Sequence, residues 1–116
     1  MIYERRVCIV QHVHEQPFKD RVHSWLPVAE KYGAKVVCGV FQAEIGGREA
    51  EIYYILAFED LAHRERVYKS VRQDPDFLKL RAKWDEEGHW MNDFTNEILN
   101  STEYASGGKP KKVVEI

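Results

Sequence analysis

The stretch Glu51-Ile52-Tyr53-Tyr54-Ile55-Leu56-Ala57-Phe58-Glu59 decides the fold, and its β-branched and aromatic residues predict a β-strand. Successive side chains of a strand point to opposite faces of the sheet. One face is therefore expected to carry Ile52, Tyr54, Leu56 and Phe58, and the other Tyr53, Ile55 and Ala57. A sheet with one face in water would alternate apolar and polar residues instead. We therefore expect both faces of this sheet to be covered.

The elements on either side of this strand follow the order β-α-β-β-α-α-β. Further strands are predicted at residues 2–10, 35–44 and 94–99. A turn at Gly46-Gly47 is expected ahead of the third strand. Helices are predicted to begin at Pro17, at Asp60 and at Asp74-Pro75, where a capping side chain or a proline suits the first turn. Pro27 lies inside the first helical pattern and either kinks that helix or divides it.

This order predicts the α+β class, with a ferredoxin-like, four-stranded antiparallel sheet and helices on one face. The second strand is also apolar on both faces, and a chain of 116 residues is too short for two helical layers. The simplest cover for the second face is the identical sheet of another copy, so we expect a homodimer with its sheets face to face. We expect a single domain over residues 1–100 and a C-terminal tail over residues 101–116, where apolar periodicity is lost.

The composition argues against several classes of protein. The 17 basic and 19 acidic residues give a net charge of -2, so no basic field exists to hold nucleic acid or an anionic membrane. No apolar stretch approaches the roughly 20 residues that span a bilayer, and residues 1–6 lack the apolar region of a secretory signal. The 2 cysteines are too few for a disulfide scaffold, which favours a reduced, cytoplasmic location.

Several segments, in this order and at this spacing, together resemble the NIPSNAP family. The start Ile2-Tyr3-Glu4-Arg5-Arg6-Val7 resembles its Tyr-Glu-x-Arg opening, and residues 54–62 resemble its third strand running into a helix. The other similar segments are Val37-Cys38-Gly39-Val40-Phe41, Glu44-Ile45-Gly46, Asp74-Pro75 and Asn96-Glu97-Ile98-Leu99. The chain departs from the family pattern at Arg5 and Cys8, where an apolar and an aromatic residue are usual.

The resemblance implies a dimeric α/β barrel, a superfamily of cofactor-independent monooxygenases, polyketide cyclases, haem-handling enzymes and proteins without an assigned activity. It favours a protein that binds a small apolar or aromatic molecule and transforms it without a cofactor, by monooxygenase, cyclase or isomerase chemistry. The alternative is a non-catalytic homodimeric module that binds a ligand or a protein. We expect no cofactor. We also expect no metal ion, since the pair His12-x-His14 is an incomplete set of metal ligands.

Six residues are candidates for the pocket that the resemblance implies between sheet and helices. Arg5 would point into it and anchor an anion, because the more apolar set of strand-one side chains faces the helices in this family. The alternative is that Arg5 lies at the strand end and pairs with a carboxylate. His23 is the candidate acid or base, since an unperturbed histidine has a pKa of about 6.5, and Tyr68 is a second catalytic candidate. The residues expected to bind the substrate are Arg5, Tyr54, Trp25 and Trp84. A surface histidine and half-buried core aromatics are the alternatives for these positions.

Overall fold

A computed structural model describes residues 1–43 and 50–100 of the chain. Its elements are β1 (Ile2–Val10), a 3-10 turn (His12–His14), α1 (Glu15–Lys31), β2 (Lys35–Gln42), β3 (Glu51–Phe58), α2 (Leu61–Gln73), α3 (Pro75–Glu87) and β4 (Met91–Asn100). The predicted order is confirmed, and Pro27 lies inside one helix, α1. The predicted turn at Gly46-Gly47 and the predicted tail over residues 101–116 lie outside the described residues. None of the described helices combines the length and the apolar character needed to cross a membrane.

The strands form one antiparallel sheet in the order β2-β3-β1-β4, which confirms the ferredoxin-like α+β fold. β1 lies between β3 and β4, so Arg6 is directly opposite Tyr54 on one side and Asn96 on the other. Directly opposite residues project from the same face of a sheet. β4 begins at Met91, before the predicted start at Phe94, because pairing with β1 extends it through Asn92 and Asp93, which interrupt the apolar pattern.

Two aspartates determine where the second and third helices begin, as predicted. Asp60 accepts a hydrogen bond from a backbone N–H in the first turn of α2, and Asp74 accepts one from the Phe77 N–H in the first turn of α3. The second carboxylate oxygen of Asp74 accepts hydrogen bonds from Lys31 at 2.9 Å and from the Tyr32 hydroxyl at 2.6 Å. Asp74 therefore ties the end of α1 to the junction of α2 and α3.

The two faces of the sheet differ in what covers them. The helices pack on the face that carries Tyr54, Leu56 and Phe58, and all three are buried. The opposite side, called the outer face below, includes the apolar residues Phe41, Tyr53, Ile55 and Ala57. Phe41 stacks on Tyr53 with the ring centroids 5.7 Å apart, yet Phe41 remains 48 % exposed. In β3 both faces carry apolar side chains, as predicted, while the expectation that the outer face is covered stays a prediction.

Candidate functional site

A cavity of about 420 Å³ lies between the helix-facing side of the sheet and helices α1 and α3. All three tryptophans of the chain line it: Trp25 from α1, Trp84 from α3 and Trp90 just before β4. Trp25 meets Tyr54 edge to face with ring centroids 5.9 Å apart, and Phe77 meets Trp84 in the same way at 6.1 Å. Aromatic walls around a space of this size suit a small, largely apolar ligand.

Three side chains of the sheet bring N–H, S–H or O–H groups to this cavity: Arg6 and Cys8 of β1, and Tyr54 of β3. Residues two apart on a strand share a face, and Tyr54 is opposite Arg6 in the register, so the sheet brings all three together. Burial raises the pKa of Cys8 to about 11. Burial also raises the pKa of Tyr54 well above its usual value, although the nearby Arg6 opposes this. The thiol and the phenol are therefore neutral at neutral pH and can donate a proton to a hydrogen bond.

The cavity has an excess of positive charge. Four arginines line it, namely Arg6, Arg21, Arg72 and Arg81, and the carboxylate among the described lining residues is that of Asp85. Since guanidinium groups stay protonated in proteins, this composition favours a negatively charged or electron-rich ligand.

Arg21 of α1 is held in one orientation at the edge of this cavity. Its guanidinium carbon lies 3.3 Å from the ring centroid of Trp90, which in turn stacks on His14 at 4.7 Å. Its Nη1 donates a hydrogen bond to the Gly88 carbonyl at 2.9 Å. Its Nη2 lies 3.7 Å from a carboxylate oxygen of Glu87, a separation too long for a hydrogen bond.

A second cavity of about 180 Å³ adjoins the first and shares Arg6, Trp25 and Trp84 with it. Tyr68 of α2 lines this smaller cavity and donates a hydrogen bond to Oε1 of Glu4. Burial, together with the Glu4 carboxylate, raises the pKa of Tyr68 well above its usual value. Tyr68 is therefore protonated at neutral pH, with its hydroxyl hydrogen directed at Glu4.

Glu4 is a buried carboxylate, 2 % exposed, that joins three elements. Arg64 of α2 donates to its Oε2 from Nε at 2.8 Å and also from Nη2, and Asn96 of β4 donates to the same oxygen at 3.1 Å. The other oxygen accepts from Tyr68. With both oxygens engaged, Glu4 acts as an anchor between β1, α2 and β4 rather than as a free base.

The structure brings four of the six predicted site residues together. Tyr54, Trp25 and Trp84 line the larger cavity, and Tyr68 lines the smaller one. His23 is exposed on α1 and lines neither of these two cavities. The catalytic and binding roles of these residues remain predictions.

The predicted orientation of Arg5 is wrong. Its neighbours in β1, Glu4 and Arg6, face the helices, so Arg5 projects from the outer face. There it pairs with Glu97 of β4 at 3.0 Å, which agrees with the alternative of pairing with a carboxylate. The more polar set of β1 side chains faces the helices because Arg64 neutralises the buried Glu4.

Two arginines that line the cavity, Arg6 and Arg21, are not among the residues predicted from the sequence. Arg6 is the arginine of the Tyr-Glu-x-Arg opening, and alternation along β1 places it on the same face as Glu4. Arg21 lies one helical turn before Trp25, a spacing that puts both side chains on one side of α1.

Within residues 1–43 and 50–100, no group of three or more His, Cys, Asp or Glu residues is arranged to hold a metal ion.

Comparisons with known proteins identify the family. The family model named NIPSNAP matches residues 3–106. A NIPSNAP family protein of unknown function from Agrobacterium tumefaciens has a TM-score of 0.75 and 22 % identity, covering 91 % of this chain and 92 % of that one. An uncharacterized NIPSNAP domain protein from Burkholderia xenovorans has a TM-score of 0.75 and 15 % identity, covering 90 % of this chain and 97 % of that one.

A more distant structure, that of an antibiotic biosynthesis monooxygenase, has a TM-score of 0.61 and 9 % identity, covering 88 % of this chain and 99 % of that one. At these identities the solved structures share the fold. No curated protein matches the chain. Because the family model covers most of the sequence, this chain belongs to the NIPSNAP family.

Proposed function

We propose that this NIPSNAP family protein binds a small apolar or aromatic molecule between its sheet and its helices, and transforms it without a cofactor. The observation that carries this proposal is the open cavity of about 420 Å³ lined by Trp25 and Trp84. Protein interiors are packed as densely as organic crystals, so a fold used only as a scaffold would fill this space with those side chains. A space left open, with aromatic walls and a few polar groups, has the composition of a ligand site.

The type of reaction follows from the groups that face the cavity. Arg6 is cationic, and Tyr54 and Cys8 stay protonated because burial raises their pKa values. Such groups stabilise negative charge that develops on a ligand oxygen, as in an enolate or a phenolate. Asp85 and His89 also line the cavity and are the candidate proton acceptors. These roles suit isomerase, cyclase or monooxygenase chemistry, and the monooxygenase name of a structural relative agrees by analogy of fold.

We further propose that the working unit is a homodimer in which two outer faces pack together. The half-exposed Phe41, stacked on Tyr53 of the same face, supports this, because apolar groups clustered on one face of a sheet mark an interaction surface. Native mass spectrometry of the untagged protein should give a mass of two chains. A mass of one chain would contradict this arrangement.

Binding can be followed through the indole groups, since all three tryptophans of the chain line the cavity. Addition of 2-naphthol should shift indole N–H signals in a saturable way in a ¹H–¹⁵N NMR spectrum. The Trp84→Ala variant should bind about tenfold more weakly, because it loses a large aromatic contact. The control is Leu78→Ala, an exposed position on the same helix, which should keep the wild-type affinity. If 2-naphthol causes no saturable shift, the proposed site is wrong.

Catalysis can be tested with 2-tetralone, an aromatic ketone whose α-hydrogens exchange with D₂O through the enolate. The protein should speed this exchange above the rate in buffer alone, and Arg6→Gln should slow it by about tenfold or more, because a charged donor to the enolate oxygen is lost. Binding of 2-naphthol together with exchange no faster than in buffer would favour the non-catalytic alternative.

A further inference from the structure

The buried polar atoms that lack a partner are concentrated at the larger cavity. Within the described part of the chain, the buried side-chain nitrogen and oxygen atoms without a hydrogen bond are Nε of Arg6 and both Nε and Nη2 of Arg21. Both side chains line the same cavity. Buried polar groups in folded proteins nearly always have a partner, so a missing acceptor is indicated at this place.

Among the described residues, the buried carboxylates Glu4 and Asp74 both have hydrogen-bond partners, which makes the two arginines unusual. The carboxylate of Glu4 accepts hydrogen bonds from Arg64 and further donors, and the carboxylate of Asp74 accepts from Lys31 and further donors. At the cavity the carboxylate nearest to Arg21 is that of Glu87, 3.7 Å away and beyond hydrogen-bond distance, and it leaves Nε and Nη2 of Arg21 and Nε of Arg6 without an acceptor. The charge that would balance them is therefore expected from a ligand.

The geometry around these nitrogen atoms indicates which kind of anionic ligand would fit them. The guanidinium carbon of Arg21 lies 3.3 Å from the ring centroid of Trp90, and its Nε and Nη2 are the nitrogen atoms left without a partner. A planar guanidinium matches a planar carboxylate, which can accept two parallel N–H···O bonds. The aromatic rings of Trp25 and Trp84 line the rest of the cavity and suit a flat apolar body.

Building on the proposed function, we propose that the ligand is an aromatic carboxylic acid bound as its anion. Its carboxylate faces Arg6 and Arg21, and its ring lies against the tryptophans. In this proposal Arg6 and Arg21 are binding residues. Their contact with the carboxylate specifies a substrate class, which the apolar walls of the cavity do not specify by themselves.

The test compares 2-naphthoate with 2-naphthamide, which has the same rings and a neutral group of nearly the same shape. Isothermal titration calorimetry on the full chain should show that the acid binds about tenfold or more tightly than the amide, as expected for a charge-assisted pair. Arg6→Gln should remove this preference. The matched control, Arg5→Gln, changes the adjacent arginine on the outer face and should retain the preference.

The outcomes separate this inference from the proposed function. Equal affinities for acid and amide, with both shifting the indole signals, would overturn the carboxylate and leave the apolar site standing. Indole signals that neither compound shifts would overturn both. Tighter binding of 2-naphthyl phosphate than of 2-naphthoate would replace the carboxylate with a phosphate. If Arg6→Gln does not fold, as judged by its NMR spectrum, Arg21→Gln should remove the same preference, and its failure to do so overturns the inference.

Discussion

The two faces of the sheet receive side chains from the same strands and differ in chemistry. The helix-facing side buries the charged groups Glu4 and Arg6 next to helices that supply partners and a cavity. The outer face carries the apolar residues Phe41, Tyr53 and Ile55 on β2 and β3, and its pair of Arg5 with Glu97 is nearly half exposed. Because side chains alternate along a strand, two adjacent residues of the same type lie on opposite faces of the sheet. Variants of such a pair therefore test the two faces separately.

The largest expected effect comes from breaking the buried charge cluster on the helix-facing side. Glu4→Ala leaves Arg64 and Tyr68 without their acceptor, and removing one partner of a buried ion pair costs about 3–5 kcal/mol. The outer-face control, Glu97→Ala, breaks an exposed pair with Arg5 that is worth about 1 kcal/mol or less. Urea denaturation of both variants measures the two free energies of unfolding. Similar losses in the two variants would show that Glu4 is not an anchor.

The next effect concerns the outer face and its proposed partner. Phe41→Asp places a charge within the proposed sheet-to-sheet contact, once in each protomer, and an unpaired buried charge is strongly disfavoured. The dissociation constant of the dimer should rise about a hundredfold or more, which analytical ultracentrifugation would measure. Leu61→Asp, at an exposed apolar position on α2, is the control and should leave the dimer intact. A dimer unaffected by Phe41→Asp would have to use another surface.

The pH dependence of the labelling rate of Cys8 tests how strongly this thiol is buried on the helix-facing side of the sheet. Burial raises the pKa of this thiol to about 11, and only the thiolate reacts. At pH 8 iodoacetamide should therefore label Cys8 about a hundredfold more slowly than a free cysteine, whose pKa is about 8.5. The labelling rate, measured by mass spectrometry on the Cys38→Ser variant, should rise about tenfold for each pH unit up to roughly pH 10. A rate that levels off near pH 9 would contradict the raised pKa.

Local signals in the sequence were sufficient for most of the fold. The strand at residues 51–59 was recognisable from its composition, and its two apolar faces follow from alternation alone. Asp60 and Asp74 were recognisable as caps because capping depends on residues within one helical turn. The opening segment and the other similar segments indicated the family.

The site was harder to predict because its side chains are oriented by distant partners. Glu4, Arg5 and Arg6 are three consecutive charged residues, so the pattern of β1 does not reveal which of them is buried. That choice depends on Arg64, sixty positions further along the chain in α2, which pairs with Glu4. Once Glu4 faces the helices, Arg6 must face them too and Arg5 must not. The residue pattern of β1 alone could not predict the contact between Glu4 and Arg64.

The smallest expected effect separates Tyr53 from Tyr54, which are adjacent in β3 and project from opposite faces. Tyr54→Phe removes a hydroxyl from the cavity, and one neutral hydrogen bond to the ligand oxygen is worth about 1 kcal/mol, so exchange of 2-tetralone should slow about fivefold. Tyr53→Phe removes a hydroxyl from the outer face and should leave the exchange rate unchanged, because that ring stacks on Phe41 away from the cavity. Thermal unfolding of both variants checks that neither loses its fold. A rate that falls equally in both variants would point to a general loosening of β3, whereas a fall confined to Tyr54→Phe would link the reaction to the helix-facing side of the sheet.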